Sequence, residues 1–339
     1  MASSSNIDAT LFPNLAPFAV PTSTDPPITI RGIHSSNTSL PPLVLLHGFP
    51  QTHAIWHRVA PTLSSSYHVI IPDLRGYGLS DAAPASPDNA FYSKDAMALD
   101  VIKVAAALRP SGTSPDSSAP FFLVGHDRGA RVSHTLALNH PAAVRRMILL
   151  DICPTLAMYD AADAAFAARY WHWFFLVQPH PLPERVMSAA PADWLRLLMG
   201  GLKNDVLISD GGSENENDAA AAEAKPHPFF HPLALASYAA AFRRPESITA
   251  MCEDYRAARG VDCNVQAQDR GEGGRRIAVP LRVLWGKKGV IEMFFDALKE
   301  WGRVVEEGTE LDGWAVDSGH YVPEEAPEEV LRAVREWCV

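Results

Sequence analysis

The chain has 339 residues, with 29 Lys plus Arg against 39 Asp plus Glu for a formal net charge of −10, and is 47% hydrophobic and 20% charged. That balance is ordinary for a globular protein and excludes collagen, a coiled coil or a wholly disordered chain. The length allows one large domain or a domain with a sizeable insertion, whose core needs neither disulfides nor metal for stability. The acidic excess argues against nucleic acid or an anionic membrane as a partner.

Along the chain, the first twenty residues lack a basic start and a long apolar run, so no secretory signal is expected. No stretch approaches 18 consecutive apolar residues, so no membrane span is expected either. The four cysteines, Cys153, Cys252, Cys263 and Cys338, form no CxxC pair and read as free thiols of a reducing compartment, with the cytoplasm as the expected location. Apolar runs at 43–48, 68–73, 121–127, 146–152 and 281–286 predict five strands of the kind buried on both faces of a parallel sheet. Helical patterns lie between them, as in SKDAMALDVIKVAAALR and ARVSHTLALNH, so the chain predicts right-handed strand–helix–strand units.

From about Thr155 to Val261 the strand signal stops and aromatics concentrate (Tyr170, Trp171, Trp173, Phe174, Phe175 and Trp194), which predicts a helical cap inserted into the sheet domain. The domains are accordingly expected at 1–154, 155–261 and 262–339, the first and last forming one core. Residues 211–228 are poor in bulky apolar side chains and predict a mobile loop. Residues 264–276, NVQAQDRGEGGRR, predict a second such segment on the return to the sheet. The final helix is announced by Pro327, Glu328 and Glu329, with Val330, Leu331, Val334 and Trp337 on one face.

Three motifs carry chemistry. Gly125-His126-Asp127-Arg128-Gly129 sits between an apolar strand and a helix, the setting of the nucleophile elbow in α/β-hydrolases, with Asp at the position usually held by Ser. A carboxylate is ionised at neutral pH and attacks saturated carbon without a base to activate it. A helix N-terminus and two nearby arginines favour the ionised form. His320 lies in a Gly-containing loop before the last helix, the late position of the general base in this chain order. His47-Gly48-Phe49-Pro50 follows the first clear strand, so the Phe49 and Arg128 backbone N–H groups are the expected oxyanion-hole donors.

With these residues in view, the chain resembles the fluoroacetate (haloacetate) dehalogenases among the α/β-hydrolases. The resemblance rests on HGFPQT (47–52), DLRGYGLSD (73–81), GHDRGAR (125–131), LDI (150–152), YWHWFF (170–175), DYRA (254–257) and SGHYVPEEAP (318–327). DRGAR and WHW are its specific parts, whereas HGFP and RGYG are shared with epoxide hydrolases. The resemblance implies an α/β-hydrolase fold, a mostly parallel sheet with helices on both faces and an inserted helical cap.

It also implies Asp127 as nucleophile, His320 as base, and Asp151 as the acid that orients His320. Arg128 and Arg131 are implied to bind the substrate carboxylate, and His172, Trp173 and Tyr255 the halide. One departure favours Asp151. Many relatives carry the acid in a Trp-Gly-x-x-Asp pattern, whereas Gly289 ends the corresponding stretch here. Asp317 is a weaker rival.

The expected partners are a haloacid anion and water, with no metal and no organic cofactor. The resemblance is compatible with a homodimer, although no pattern in the chain requires one. Epoxide hydrolysis by the same Asp and His is the first alternative. Haloalkane dehalogenation and a non-catalytic ligand receptor on the same fold are the others. Both enzymatic alternatives are disfavoured by an arginine pair that a neutral substrate does not need.

Overall fold

The computed structural model describes residues 4–110, 120–199 and 229–339. Eight strands form one sheet: β1 (Leu15–Thr24), β2 (Pro27–Ser35), β3 (Pro42–Leu46), β4 (His68–Pro72), β5 (Phe121–His126), β6 (Val144–Leu150), β7 (Leu281–Gly286) and β8 (Leu311–Val316). Their spatial order is β1-β2-β4-β3-β5-β6-β7-β8. Pairing is antiparallel from β1 to β2 and from β2 to β4, and parallel from β4 onward.

The five apolar runs are β3 to β7, all inside the sheet. Every residue of β4 and β5 is buried. Continuous burial on both faces is the reason these strands read as unbroken apolar runs rather than alternating ones. β1 and β8 are edges and are largely half-exposed. β1 also carries Pro17 and Pro21, residues that edge strands tolerate because one side of the backbone has no ladder partner. β2, covered by β1, alternates between buried and half-buried positions. These three strands lie outside the sequence-based expectation.

Between β6 and β7 the described residues hold helices and no strand: Thr155–Asp160, Ala164–Arg169, Trp171–Leu176, Leu182–Ala189, Pro191–Leu198, Pro232–Phe242 and Pro245–Ala257. The expected loop at 211–228 lies outside the described residues. The second expected loop, 264–276, is corrected in its first part, while 271–276 lies outside any helix or strand. Pro245–Ala257 continues through a π-helical turn, Ala258–Asp262, into a helix Cys263–Arg270, which therefore crosses the anticipated cap boundary at 261/262. Cys263 is the only residue of this last helix that is fully buried. A polar helix of this kind shows no amphipathic stripe, and it is supported by its continuity with the buried helix before it. No helix among the described residues is long and apolar enough to cross a membrane.

Candidate active site

The site is assembled at the C-terminal ends of the parallel strands, the usual ligand position in open α/β sheets. β5 ends at His126, and the elbow helix Arg128–Asn139 begins one residue after Asp127. Asp127 adopts φ 44° and ψ −111°. For a residue with a Cβ such a backbone costs about 1–3 kcal/mol and persists only where surrounding contacts impose it. Here the imposed contact is close packing against the β3 loop. A Cβ on Gly129 would lie 2.5 Å from the His47 carbonyl oxygen, and one on Gly48 would lie 2.5 Å from the Asp127 Cβ. Glycine at both positions lets the two loops touch.

That contact places the Phe49 N–H 3.0 Å from Asp127 Oδ2, while Oδ1 accepts no hydrogen bond within the described residues. His47 holds the loop. Its Nε2 accepts the Leu74 N–H at 3.0 Å, so its proton is on Nδ1, which donates to the Gly48 carbonyl at 2.9 Å. The Arg128 N–H donates to nothing in the described protein. Phe49 and Arg128, the expected oxyanion donors, thus flank Asp127. Burial works against ionisation of Asp127, but the His320, Arg128 and Arg131 charges outweigh it and hold its carboxyl below the ordinary value.

His320 and Asp151 meet as expected. The His320 Nδ1–H donates to Asp151 Oδ2 at 2.6 Å, and Asp151 Oδ1 accepts the Gly286 N–H at 2.9 Å. Asp151 is fully buried and sits at φ 52°, a second non-glycine residue in the left-handed region. Gly289 explains why one acid position can replace the other. A Cβ there would lie 3.2 Å from Asp151 Oδ1, so the two places in the sequence converge on one place in space. Asp317 is excluded from this role, since it is exposed and pairs with Lys288 at 2.8 Å. Burial lowers the His320 pKa, but the hydrogen bond and charge of Asp151 more than offset it, and the net shift is upward. His126, to which sequence reasoning gave no role, donates from Nε2 to the His320 carbonyl at 2.8 Å and fixes that loop.

The cap side chains close over Phe49. His172 stacks on its ring at 6.1 Å with an interplanar angle of 14°, and Tyr255 meets it edge-on at 5.2 Å. Trp173 lies 6.3 Å from Tyr255 and stacks on Tyr170 at 5.1 Å. The side-chain polar atoms of His172, Trp173 and Tyr255 make no hydrogen bond with other described residues. Burial pushes His172 down to about 3, so it is neutral at physiological pH and keeps one N–H donor. Burial and the Asp127 charge push the Tyr255 hydroxyl well above its ordinary value, so it remains a donor as well.

The two arginines differ in a way the sequence did not foretell. Arg128 is buried and forms a bidentate pair with Asp254, Nε to Oδ2 at 2.8 Å and Nη2 to Oδ1 at 2.7 Å, leaving Nη1 without a hydrogen bond. Its guanidinium carbon lies 4.2 Å from the Tyr255 ring centroid. Arg131 is equally buried but has no carboxylate within ion-pair distance among the described residues. It touches neutral groups, the Thr155 hydroxyl at 2.8 Å, the Cys153 carbonyl at 3.4 Å and the Trp173 ring at 4.7 Å, and its Nε has no partner.

The chain is similar to known proteins over most of its length. Residues 41–180 match the family pattern of the alpha/beta hydrolase fold. The chain is 35% identical over 297 residues to a fluoroacetate dehalogenase of Burkholderia sp., covering 88% of this chain and 86% of that protein. It is 28% identical to a soluble epoxide hydrolase of Corynebacterium sp. (strain C12), covering 86% and 87%. Among solved structures, ALR0039 from Nostoc sp. PCC 7120 superposes with a TM-score of 0.81 at 38% identity, covering 97% of this chain and 99% of that one.

Proposed function

This chain belongs to the α/β-hydrolase family, and from that premise we propose that it hydrolyses haloacetates of the fluoroacetate type to glycolate through an ester of Asp127. The observation that carries this reading is Arg131, a buried cation beside the nucleophile with no carboxylate within ion-pair distance among the described residues. A buried charge without a directly paired counter-ion is costly, and an anionic substrate supplies one. The 35%-identical Burkholderia dehalogenase lends support, since the name of that protein is of the same activity.

On this reading Arg131 and the open Nη1 of Arg128 hold the substrate carboxylate, which sets the halogen-bearing carbon against Asp127 Oδ1. Oδ1 forms a bond to that carbon as the carbon–halogen bond breaks, and the halide leaves with the electron pair. His172, Trp173 and Tyr255 donate to the departing halide, and losing one such donor costs about 3 kcal/mol of barrier. His320 then takes a proton from water. The hydroxide formed attacks the carboxyl carbon of Asp127, and the oxyanion at Oδ2 rests on the Phe49 and Arg128 N–H groups. Collapse releases glycolate, its alkoxide protonated by His320, and restores the Asp127 carboxylate. The net reaction consumes haloacetate and water and yields glycolate, halide and one proton.

Epoxide opening is the second reading. It is favoured by the protonated, unbonded Tyr255 hydroxyl, a suitable donor to an alkoxide, and opposed by the cationic floor that a neutral epoxide leaves unmatched. Fluoride release from fluoroacetate, measured beside styrene oxide hydrolysis, separates the two. Turnover of styrene oxide without fluoride release refutes the haloacetate reading. Arg131→Leu is expected to lower kcat/KM for fluoroacetate by about a hundredfold or more, the scale of removing one member of a buried charge pair. Its effect on neutral chloroacetamide is expected to be much smaller, and equal losses on both substrates contradict the assignment.

A further inference from the structure

Arg128 alone is a poor ligand for a substrate anion, because a bidentate carboxylate already neutralises it. The structure holds a compensating charge. Asp254 is fully buried and accepts from more than Arg128: the Tyr77 hydroxyl reaches Oδ2 at 2.7 Å, and the Lys94 ammonium donates to Oδ1. Lys94 is itself 1% exposed. Its backbone N–H donates to Asp262 Oδ1 at 3.0 Å, and its Nζ lies 3.4 Å from Asp262 Oδ2. Asp254 lies in the helix before the π-helical turn Ala258–Asp262 and Asp262 is the last residue of that turn, so one continuous helix presents both carboxyl groups to Lys94. Burial pushes the Asp262 carboxyl up, toward the neutral form, so it is the weaker counter-ion of the two. Burial opposes ionisation of Asp254, but Arg128 and Lys94 together hold it well below the carboxylate range.

We propose that Lys94 is a positioning residue for anion recognition: by sharing Asp254 with Arg128 it keeps that guanidinium fixed and supplies the positive charge that leaves Arg128 Nη1 able to attract the substrate carboxylate. Lys94 touches no substrate on this account. It acts through Asp254, about one guanidinium away from the reacting atoms. A lone Arg128–Asp254 pair is close to neutral when seen from the pocket, whereas Lys94, hydrogen-bonded to Asp254 and farther from Asp262 Oδ2 at 3.4 Å, places a second cation on the shared carboxylate and makes the surroundings of Arg128 more positive, an effect felt strongly in a water-poor interior. The inference rests on the haloacetate reading and adds a residue to it.

The test is steady-state kinetics of the full chain with fluoroacetate and with neutral chloroacetamide. Lys94→Met is expected to raise KM for fluoroacetate by about tenfold or more, with a smaller change in kcat and little change for chloroacetamide. Lys94→Arg is expected to retain most of the wild-type KM. The double variant Lys94→Met/Asp254→Asn removes one charge of each sign, and its KM is expected to be lower than that of Lys94→Met by about threefold or more. A purely structural role predicts the reverse, a double variant at least as impaired as the single and equal losses on both substrates, and that result overturns the proposal. If Lys94→Met does not accumulate as folded protein, the charge-balanced double variant decides alone: a KM near that of wild type supports the proposal, and a KM raised tenfold or more refutes it. Wild-type turnover of fluoroacetate with an unchanged KM in Lys94→Met refutes this inference only. Absence of any wild-type fluoride release refutes the underlying reading and this inference with it.

Discussion

Asp127→Asn is expected to release no fluoride from fluoroacetate, with a loss of more than about 10⁴-fold, the scale of removing a catalytic nucleophile. The amide preserves the shape of the side chain, and its oxygen can still accept the Phe49 N–H that reaches Oδ2 at 3.0 Å. What it lacks is the second, negatively charged oxygen. The oxygen without a hydrogen bond is the proposed attacking atom, and an amide nitrogen in its place has no lone pair free for displacement at carbon. The strained backbone at φ 44° is retained, since Asn tolerates positive φ better than most residues. Loss of activity with an unchanged melting temperature is therefore the expected pair of results. Single-turnover fluoride measurement on the purified variant checks it, and release of one equivalent per site by Asp127→Asn contradicts the nucleophile assignment.

His320→Asn is expected to behave differently, because on the proposed mechanism the base acts only after the halide has gone. One fluoride per active site is expected to appear in a burst, followed by a stall. The peptide containing Asp127 is then expected to gain the mass of a carboxymethyl group. Absence of a burst removes His320 from the second step. The wild-type pH profile adds a sign. Only the neutral imidazole takes a proton from water. Burial lowers the His320 pKa, but the 2.6 Å bond to Asp151 and the charge of that carboxylate outweigh it, so the folded-state value lies above the ordinary 6.5. Ester hydrolysis is expected to rise with pH through a midpoint above that value. Halide release, which needs an already ionised Asp127, is expected to show no such limb in the same range. Single-turnover rates of the two steps across pH are the measurement, and a midpoint at or below the ordinary imidazole value contradicts the Asp151–His320 coupling.

The parts of this architecture that were legible in the sequence share a physical cause. β3 to β7 are interior strands whose residues are mostly buried, so each carries a dense apolar run. Asp127 was legible because a sharp turn between strand and helix demands small neighbours at fixed spacing, and Gly125 and Gly129 supply them. The edge strands β1 and β8 were not legible, since half-exposed strands need no apolar run and β1 even tolerates two prolines. The helix Cys263–Arg270 was read as a loop because its stability is inherited from the helix before it rather than from a face of its own.

The same division holds at the site. Asp151 and His320 were reached through motif and resemblance, and a Cβ on Gly289 would lie 3.2 Å from Asp151 Oδ1, so the departure at Trp285–Gly289 leaves that place to Asp151. The different pairing of the two arginines was invisible. Arg128 and Asp254 are 126 positions apart, and Lys94 and Asp254 are 160 apart. A buried ion network of that span leaves no local pattern, because its members are brought together only when the helix Pro245–Ala257 packs against the segment that carries Tyr77 and Lys94. His126 was hidden for another reason. It lies inside the elbow motif, where attention to the nucleophile masks the neighbour whose Nε2 steadies the His320 loop.

The claim on which all of this depends is that the enzyme carboxylate, and not water, first bonds to the substrate carbon. A single turnover in water enriched in heavy oxygen, with enzyme in excess over fluoroacetate, tests it most directly. The first glycolate formed is expected to carry ordinary oxygen, and the heavy oxygen is expected in the side chain of Asp127 when the peptide is analysed. Heavy oxygen in that first glycolate, with Asp127 unlabelled, contradicts the ester mechanism.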